Sequence, residues 1–195
     1  MLRLFTAIEL PEASRRRIAG LARPLPGAVW IKPENMHLTL SFIGEVDEGL
    51  AADIDIELAR ISHQAFEIKL AGVDQFESRA RVRAVWVGVE RAPELMGLQA
   101  KGESALKRAG ASPEQRRYTP HVTLARFHDL PIHKVAPFIA QKNDFREGPI
   151  AVESFVLMSS RLGHAGSVYT EERRYPLIGA GIRALAEEWA RGERP

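Results

Sequence analysis

Alternating apolar stretches and 3.6-residue apolar stripes follow one another along the chain, and each predicts an element. Met1 to Leu10 reads as a first β-strand, although Arg3 and Glu9 interrupt its apolar run. Pro11-Glu12 opens a helix, with proline where the first turn tolerates it, and Ile18, Leu21 and Ala22 supply its apolar stripe. Pro24, Pro26 and Gly27 end that helix. Ala28 to Ile31 is expected as a short strand, Lys32 to Asn35 as a turn, and 36–43 as a strand stopping at Gly44. Asp47 or a neighbour caps a helix running through Arg60, with Leu50, Ile54 and Leu58 at i, i+4, i+8 spacing. Phe66 to Val73 alternates as a strand, with Phe66, Ile68 and Leu70 on one side.

The second half repeats this logic. If Glu77 onward is extended, Arg79, Arg81 and Arg83 share a face and form either a phosphate track or the charged rim of an edge strand. Val85 to Val89 is apolar enough for a central strand. Pro93 begins a helix whose Leu95, Leu98 and Leu106 face the core and which ends near Gly110. The loop Ser112 to Arg117 is basic and leads to Tyr118, which serves either as a base-stacking ring beside Arg116 and Arg117 or as a core tyrosine. Pro131 to Ala140 predicts a short helix, and Ile150 to Ser160 and Val168 to Leu177 two strands joined through Gly163 and Gly166. Ala180 to Arg191 predicts a final amphipathic helix. The pattern is α+β with antiparallel sheets.

Two of the predicted strands carry nearly the same five residues. Met36-His37-Leu38-Thr39-Leu40 and Pro120-His121-Val122-Thr123-Leu124 both read His-x-Thr-Leu with an aliphatic residue at x, 84 positions apart. In a strand, residues i and i+2 share a face, so His37 pairs with Thr39 and His121 with Thr123, while the aliphatic residues point into a core. A lone His-x-Thr carries little information; its repetition in the same order and setting carries much more. Two imidazoles with unperturbed pKa near 6.5 can take one proton and give another, and two hydroxyls can donate to phosphate oxygens.

With its flanks, the chain resembles the 2H phosphoesterase superfamily, and within it the RNA 2′,3′-cyclic phosphodiesterases, also called 2′-5′ RNA ligases. The resemblance runs through Arg3-Leu4-Phe5-Thr6-Ala7-Ile8, Trp30, Pro33 to Leu40, Phe42-Ile43-Gly44, Tyr118 to Arg126, Tyr169 and Arg174-Tyr175-Pro176-Leu177. It implies a single bilobal domain over 1–195, with a first motif half of about 1–75 and a second of about 76–195. The two similar lobes would have antiparallel sheets, flanking helices and a pseudo-two-fold relation, with one His-x-Thr strand per lobe facing a central cleft. The implied reaction is hydrolysis of RNA 2′,3′-cyclic phosphate ends to 2′-phosphomonoesters, with reversible 2′-5′ ligation as a further capacity. His37 and His121 would be catalytic, and analogy with relatives makes His121 the base and His37 the acid. Thr39 and Thr123 would hold phosphate, and the resemblance adds Arg126 as a phosphate ligand. Strict alternation puts Arg126 on the face opposite His121 unless a bulge re-aims it. The alternatives left open are a nucleotide- or RNA-end-binding module without turnover and the same chemistry on another cyclic phosphate.

Composition narrows this further. Of 195 residues 45% are hydrophobic and 27% charged, ordinary globular values. Without cysteine, disulfides and thiolate metal sites are excluded. A net charge of +2 is too mild to argue nucleic-acid binding alone. His63, His128, His133 and His164 lack a threonine two positions on and read as surface or loop residues; no His-Glu-x-x-His cluster is present, so neither metal nor cofactor is expected. No run approaches the ~20 apolar residues of a membrane span, and Met1 to Leu10 does not read as a signal peptide. A cytoplasmic monomer acting on RNA or a nucleotide with a 2′,3′-cyclic phosphate end is the expectation.

Overall fold

The computed structural model describes residues 1–114, 117–163 and 166–180. The elements are β1 (Leu2–Glu9), α1 (Glu12–Ala19), β2 (Val29–Trp30), β3 (His37–Val46), α2 (Glu48–Ala59), β4 (Phe66–Ser78) and β5 (Arg81–Val89). After them come α3 (Pro93–Arg108), β6 (His121–Pro131), α4 (Ile132–Lys142), β7 (Arg146–Val152), β8 (Ser154–Gly163) and β9 (Gly166–Pro176). The expected helix from Ala180 to Arg191 lies, beyond its first residue, outside the described residues, as do Arg116 and His164.

Among the described residues the strands form one antiparallel sheet in the order β7-β4-β5-β6-β3-β1-β8-β9, with β2 added beside β6. Its midpoint is the contact between β3 and β6, a single paired position, Leu38 with Val122. These are the x residues of the two motifs. About that point the sheet divides into two lobes, β3-β1-β8-β9 and β6-β5-β4-β7, related by a pseudo-two-fold that exchanges β3 with β6 and β1 with β5. Beyond the bridge β3 and β6 part. There β2 pairs with β6 through Val29 and Trp30, and the Glu114 N–H donates to the Phe42 carbonyl of β3.

Apart from the short β2, the described chain crosses between lobes twice. Strand β4 follows α2 but pairs with β5 and β7 in the other lobe, and β8 follows β7 but pairs with β1 and β9. The run from Ile150 to Ser160, read from sequence as one strand, is therefore two. It breaks at Glu153, because β7 ends on β4 at one edge of the sheet and β8 starts on β1 in the other lobe. Two other boundaries differ from the alternation reading. Strand β3 continues through Gly44, whose φ of +94° suits glycine, to Val46. Strand β4 runs on to Ser78 and turns into β5 through Arg79 and Ala80, both at positive φ. Arg79 is thus a turn residue, and the expected row of three arginines does not form. Arg81 pairs with Asp129, and Arg83 donates to the His128 carbonyl.

One face of the sheet carries the main core. Leu38, Val122, Leu124, Val85 and Val87 from the strands join Ile54, Leu58, Leu95, Leu98, Leu106, Val135 and Phe138 from the helices. Each such buried side chain contributes about 1.5–3 kcal/mol. Asp47 caps α2, its carboxylate accepting from Leu50 N at 2.8 Å. No helix among the described residues is long and apolar enough to cross a membrane.

Candidate active site

The site is built on the sheet face opposite the main core. Leu38 and Val122 are fully buried, so the residues beside them in β3 and β6 point the other way. His37, Thr39, His121 and Thr123 accordingly share one face, half-buried. Because the strands are antiparallel and paired at the x positions, each histidine lies across from the other motif's threonine.

The hydrogen bonds fix the imidazoles. His37 Nδ1 lies 2.8 Å from the Asn35 carbonyl, and His121 Nδ1 lies 2.7 Å from the Thr119 carbonyl. A carbonyl only accepts, so Nδ1 carries the proton in both rings and Nε2 is the nitrogen left for chemistry. The same arrangement in both motifs, a ring bonded to the backbone two residues upstream, follows from the duplication.

Arg126 joins this face by a bulge. Strand β5 pairs Trp86 with Thr123 but Val85 with Ala125, so β6 contains one extra residue there. The buried positions of β6 accordingly run 122, 124, 125, 127, and Arg126 emerges on the side of His121. Strand β3 has the corresponding slip, since Ala7 pairs with Thr39 while Thr6 pairs with Ser41. Phe42 therefore holds in β3 the place that Arg126 holds in β6.

Electrostatics favours neutral rings. Burial first, then the Arg126 guanidinium and His121, push His37 down to about 4, against the raising effects of its carbonyl partner and of Glu9. His121 is lowered by burial and by Arg126, its carbonyl bond opposing them. Glu9 stands across the strand from His37, and Arg174 ties its carboxylate and that of Glu171.

Aromatic rings line both sides. Phe5 lies 4.9 Å from His37 and Tyr169 5.1 Å from it, edge on. Phe76 meets His121 edge on at 4.8 Å, with Trp86 5.7 Å away. Pattern reading assigned no role to Phe5, Phe76 or Trp86, because their nearness to the histidines depends on cross-strand register. Tyr118 is the core tyrosine of the two readings. Its ring packs on the main core, its hydroxyl donates to the Thr39 carbonyl at 3.2 Å, and burial raises its pKa. It therefore steadies the first motif strand from the second half of the chain. His128 and His133 are exposed, and His63 bonds the Gln64 carbonyl. Among the described residues no group of three or more His, Asp or Glu side chains is placed to hold a metal ion.

Comparison with known proteins agrees with this geometry. An RNA 2′,3′-cyclic phosphodiesterase of Aeropyrum pernix is 39% identical over 143 residues, covering 71% of this chain and 80% of the relative. One of Thermotoga maritima is 33% identical over 174 residues, covering 86% and 91%. The crystal structure of Escherichia coli LigT complexed with 3′-AMP matches with a TM-score of 0.72 at 26% identity, covering 91% of this chain and 98% of that one. A family model described as LigT like Phosphoesterase matches twice, at residues 8–86 and 87–169. Each matched segment contains one His-x-Thr strand, and the two strands meet at Leu38 and Val122; the chain belongs to the LigT-like phosphoesterase family.

Proposed function

We propose that the protein hydrolyses 2′,3′-cyclic phosphate ends of RNA to 2′-phosphomonoesters by proton transfer between His37 and His121. The observation that carries this reading is the single bridge at Leu38 and Val122, which sets both His-x-Thr pairs on one face, with Nδ1 of each ring held by a backbone carbonyl. Relatives named RNA 2′,3′-cyclic phosphodiesterase support the substrate class. In the proposed step a water oxygen attacks phosphorus in line with the ribose 3′-oxygen. One imidazole takes the water's proton, the P–O3′ bond breaks, and the other imidazolium protonates the departing 3′-oxygen. Thr39 and Thr123 donate to the non-bridging oxygens, and Arg126 balances their charge. The deeper depression of His37 favours it as the base and His121 as the acid, the reverse of the assignment by analogy. With a ribose 5′-hydroxyl in place of water as the attacking oxygen, the same transfers join ends through a 2′-5′ linkage, and run backwards they break that linkage and re-form the cyclic phosphate.

The test offers the protein an RNA ending in a 2′,3′-cyclic phosphate and a cyclic mononucleotide, with and without EDTA, and identifies products by phosphorus NMR. A 2′-phosphate formed at equal rates with and without chelator is expected. A 3′-phosphate product would overturn the polarity, and loss of turnover in EDTA restored by a divalent ion would overturn the two-histidine mechanism. Nucleotide binding without turnover would favour the binding module.

A further inference from the structure

The two-fold that matches histidine with histidine and threonine with threonine does not match their surroundings. Arg126 supplies a cation on the β6 side, and its counterpart on β3 is Phe42, 47% exposed. A second open ring, Phe76, is 37% exposed on β4 and pairs across with Ala84, itself opposite Arg126. Both lie on the face that carries the histidines. Each belongs to an aromatic cluster built around an imidazole. On one side His37 touches Phe5 at 4.9 Å, and Phe5 lies 6.0 Å from Phe42. On the other, His121 touches Phe76 directly at 4.8 Å, and Trp86 lies 5.1 Å from Phe76. Aromatic faces left in water forgo the gain of burial, and here both flank a seat built for a phosphate.

We propose that Phe76 and Phe42 are nucleobase platforms on opposite sides of the phosphate seat, so that the site takes two nucleosides sharing one phosphate. This rests on the RNA cyclic phosphodiesterase reading of the same site. Reach assigns the platforms. In a 2′,3′-cyclic nucleotide the phosphate is fused to the ribose, so its base lies close and falls on Phe76, in direct contact with His121. A nucleoside attached through its 5′-oxygen has an extra methylene and reaches Phe42, one ring further from His37. The departing 3′-oxygen then lies on the His121 side and the attacking oxygen on the His37 side, as an in-line displacement requires. Stacking accepts every base, which suits an enzyme acting on RNA ends of differing sequence.

The experiment uses two probes without a 3′-hydroxyl, which cannot cyclise: 3′-deoxyadenosine 2′-(methyl phosphate) and the 2′-5′ dimer of 3′-deoxyadenosine with adenosine. Binding of each to the wild-type chain and to Phe42→Leu, Phe42→Trp and Phe76→Leu is measured by titration calorimetry. Turnover of a cyclic mononucleotide is followed alongside. The wild type is expected to bind the dimer about tenfold more tightly than the methyl ester, the scale of one stacked base. Phe42→Leu should abolish that advantage and leave methyl ester affinity within about twofold, and Phe42→Trp should restore it. Phe76→Leu should weaken both probes by about tenfold. A wild type that turns over the cyclic nucleotide but binds both probes equally overturns the platforms and leaves the activity standing. A dimer advantage that survives Phe42→Leu also overturns them. A wild type that neither turns over the cyclic nucleotide nor binds either probe overturns both readings.

Discussion

A histidine in this site is a group asked to titrate where burial resists its charge. With His37 lowered to about 4 and His121 lowered as well, most of the free enzyme at pH 7 holds both rings neutral. The reactive form needs one ring charged and one neutral. The kcat/KM profile is therefore expected to be a bell with both limbs below 6.5, and a maximum at or above pH 7 would contradict the lowering. The limbs belong to the coupled pair. Arg126 lowers both rings, so Arg126→Ala should move both titrations up, read from imidazole NMR shifts, and Arg126→Lys should not. His37→Ala and His121→Ala should each cost on the order of 100-fold or more in kcat, and Thr39→Ala and Thr123→Ala less, each losing one hydrogen bond to phosphate. The same shift enters stability. Between pH 6.5 and about 4 the unfolded chain holds a proton on His37 that the folded chain refuses. Stability should thus fall through that window as pH drops, by up to about 3 kcal/mol from this residue. His37→Gln should flatten that part of the curve in urea titrations at pH 7 and pH 4.5.

At the level of strands and helices, period and punctuation carried most of what was readable. Leu50, Ile54 and Leu58 marked α2, and Asp47 marked its cap; alternation separated His37 and Thr39 from Leu38. What alternation does not contain is the extra residue of a bulge, which depends on how two strands twist together. Arg126 is the consequence: its face was legible only once β5 was laid beside β6. The split at Glu153 and the turn at Arg79 were hidden for the same reason, since β-branched and apolar runs look alike whichever partner they meet. Gly88 shows the cost of such close pairing. It stands opposite His121, and a Cβ there would lie 2.5 Å from the Ala71 carbonyl oxygen. Gly88→Ala should push β4 from β5 and destabilise the fold by about 1–3 kcal/mol, seen as a lower urea midpoint with an unchanged slope. Asp47→Ala should cost about 1 kcal/mol and leave kcat unchanged, since Asp47 lies beyond the far end of β3 from His37 and its carboxylate serves the α2 cap.

Taken whole, the molecule is a duplication whose halves have exchanged strands. The family model matches at 8–86 and 87–169, a division that suggests two separable units. The sheet contradicts such independence. By sequence β4 belongs with the first histidine, yet its ladders run to β5 and β7. By sequence β8 and β9 belong with the second, yet β8 pairs with β1. A fragment ending at residue 86 would leave β4 without β7 and with only part of β5. The rest of the chain alone would leave β8 without β1 and β6 with neither β3 nor most of β5. Each fragment would expose strand edges and much of the apolar face that now forms one core. Residues 1–86 and 87–195 expressed separately should show no cooperative urea transition. Mixed in equal amounts, they should recover a single transition and part of the wild-type activity, because the lost contacts are all between fragments. Cooperative unfolding of either fragment alone would show that a lobe closes on its own strands, and the exchange would then be an ornament of the fold, not the reason both histidines share one face.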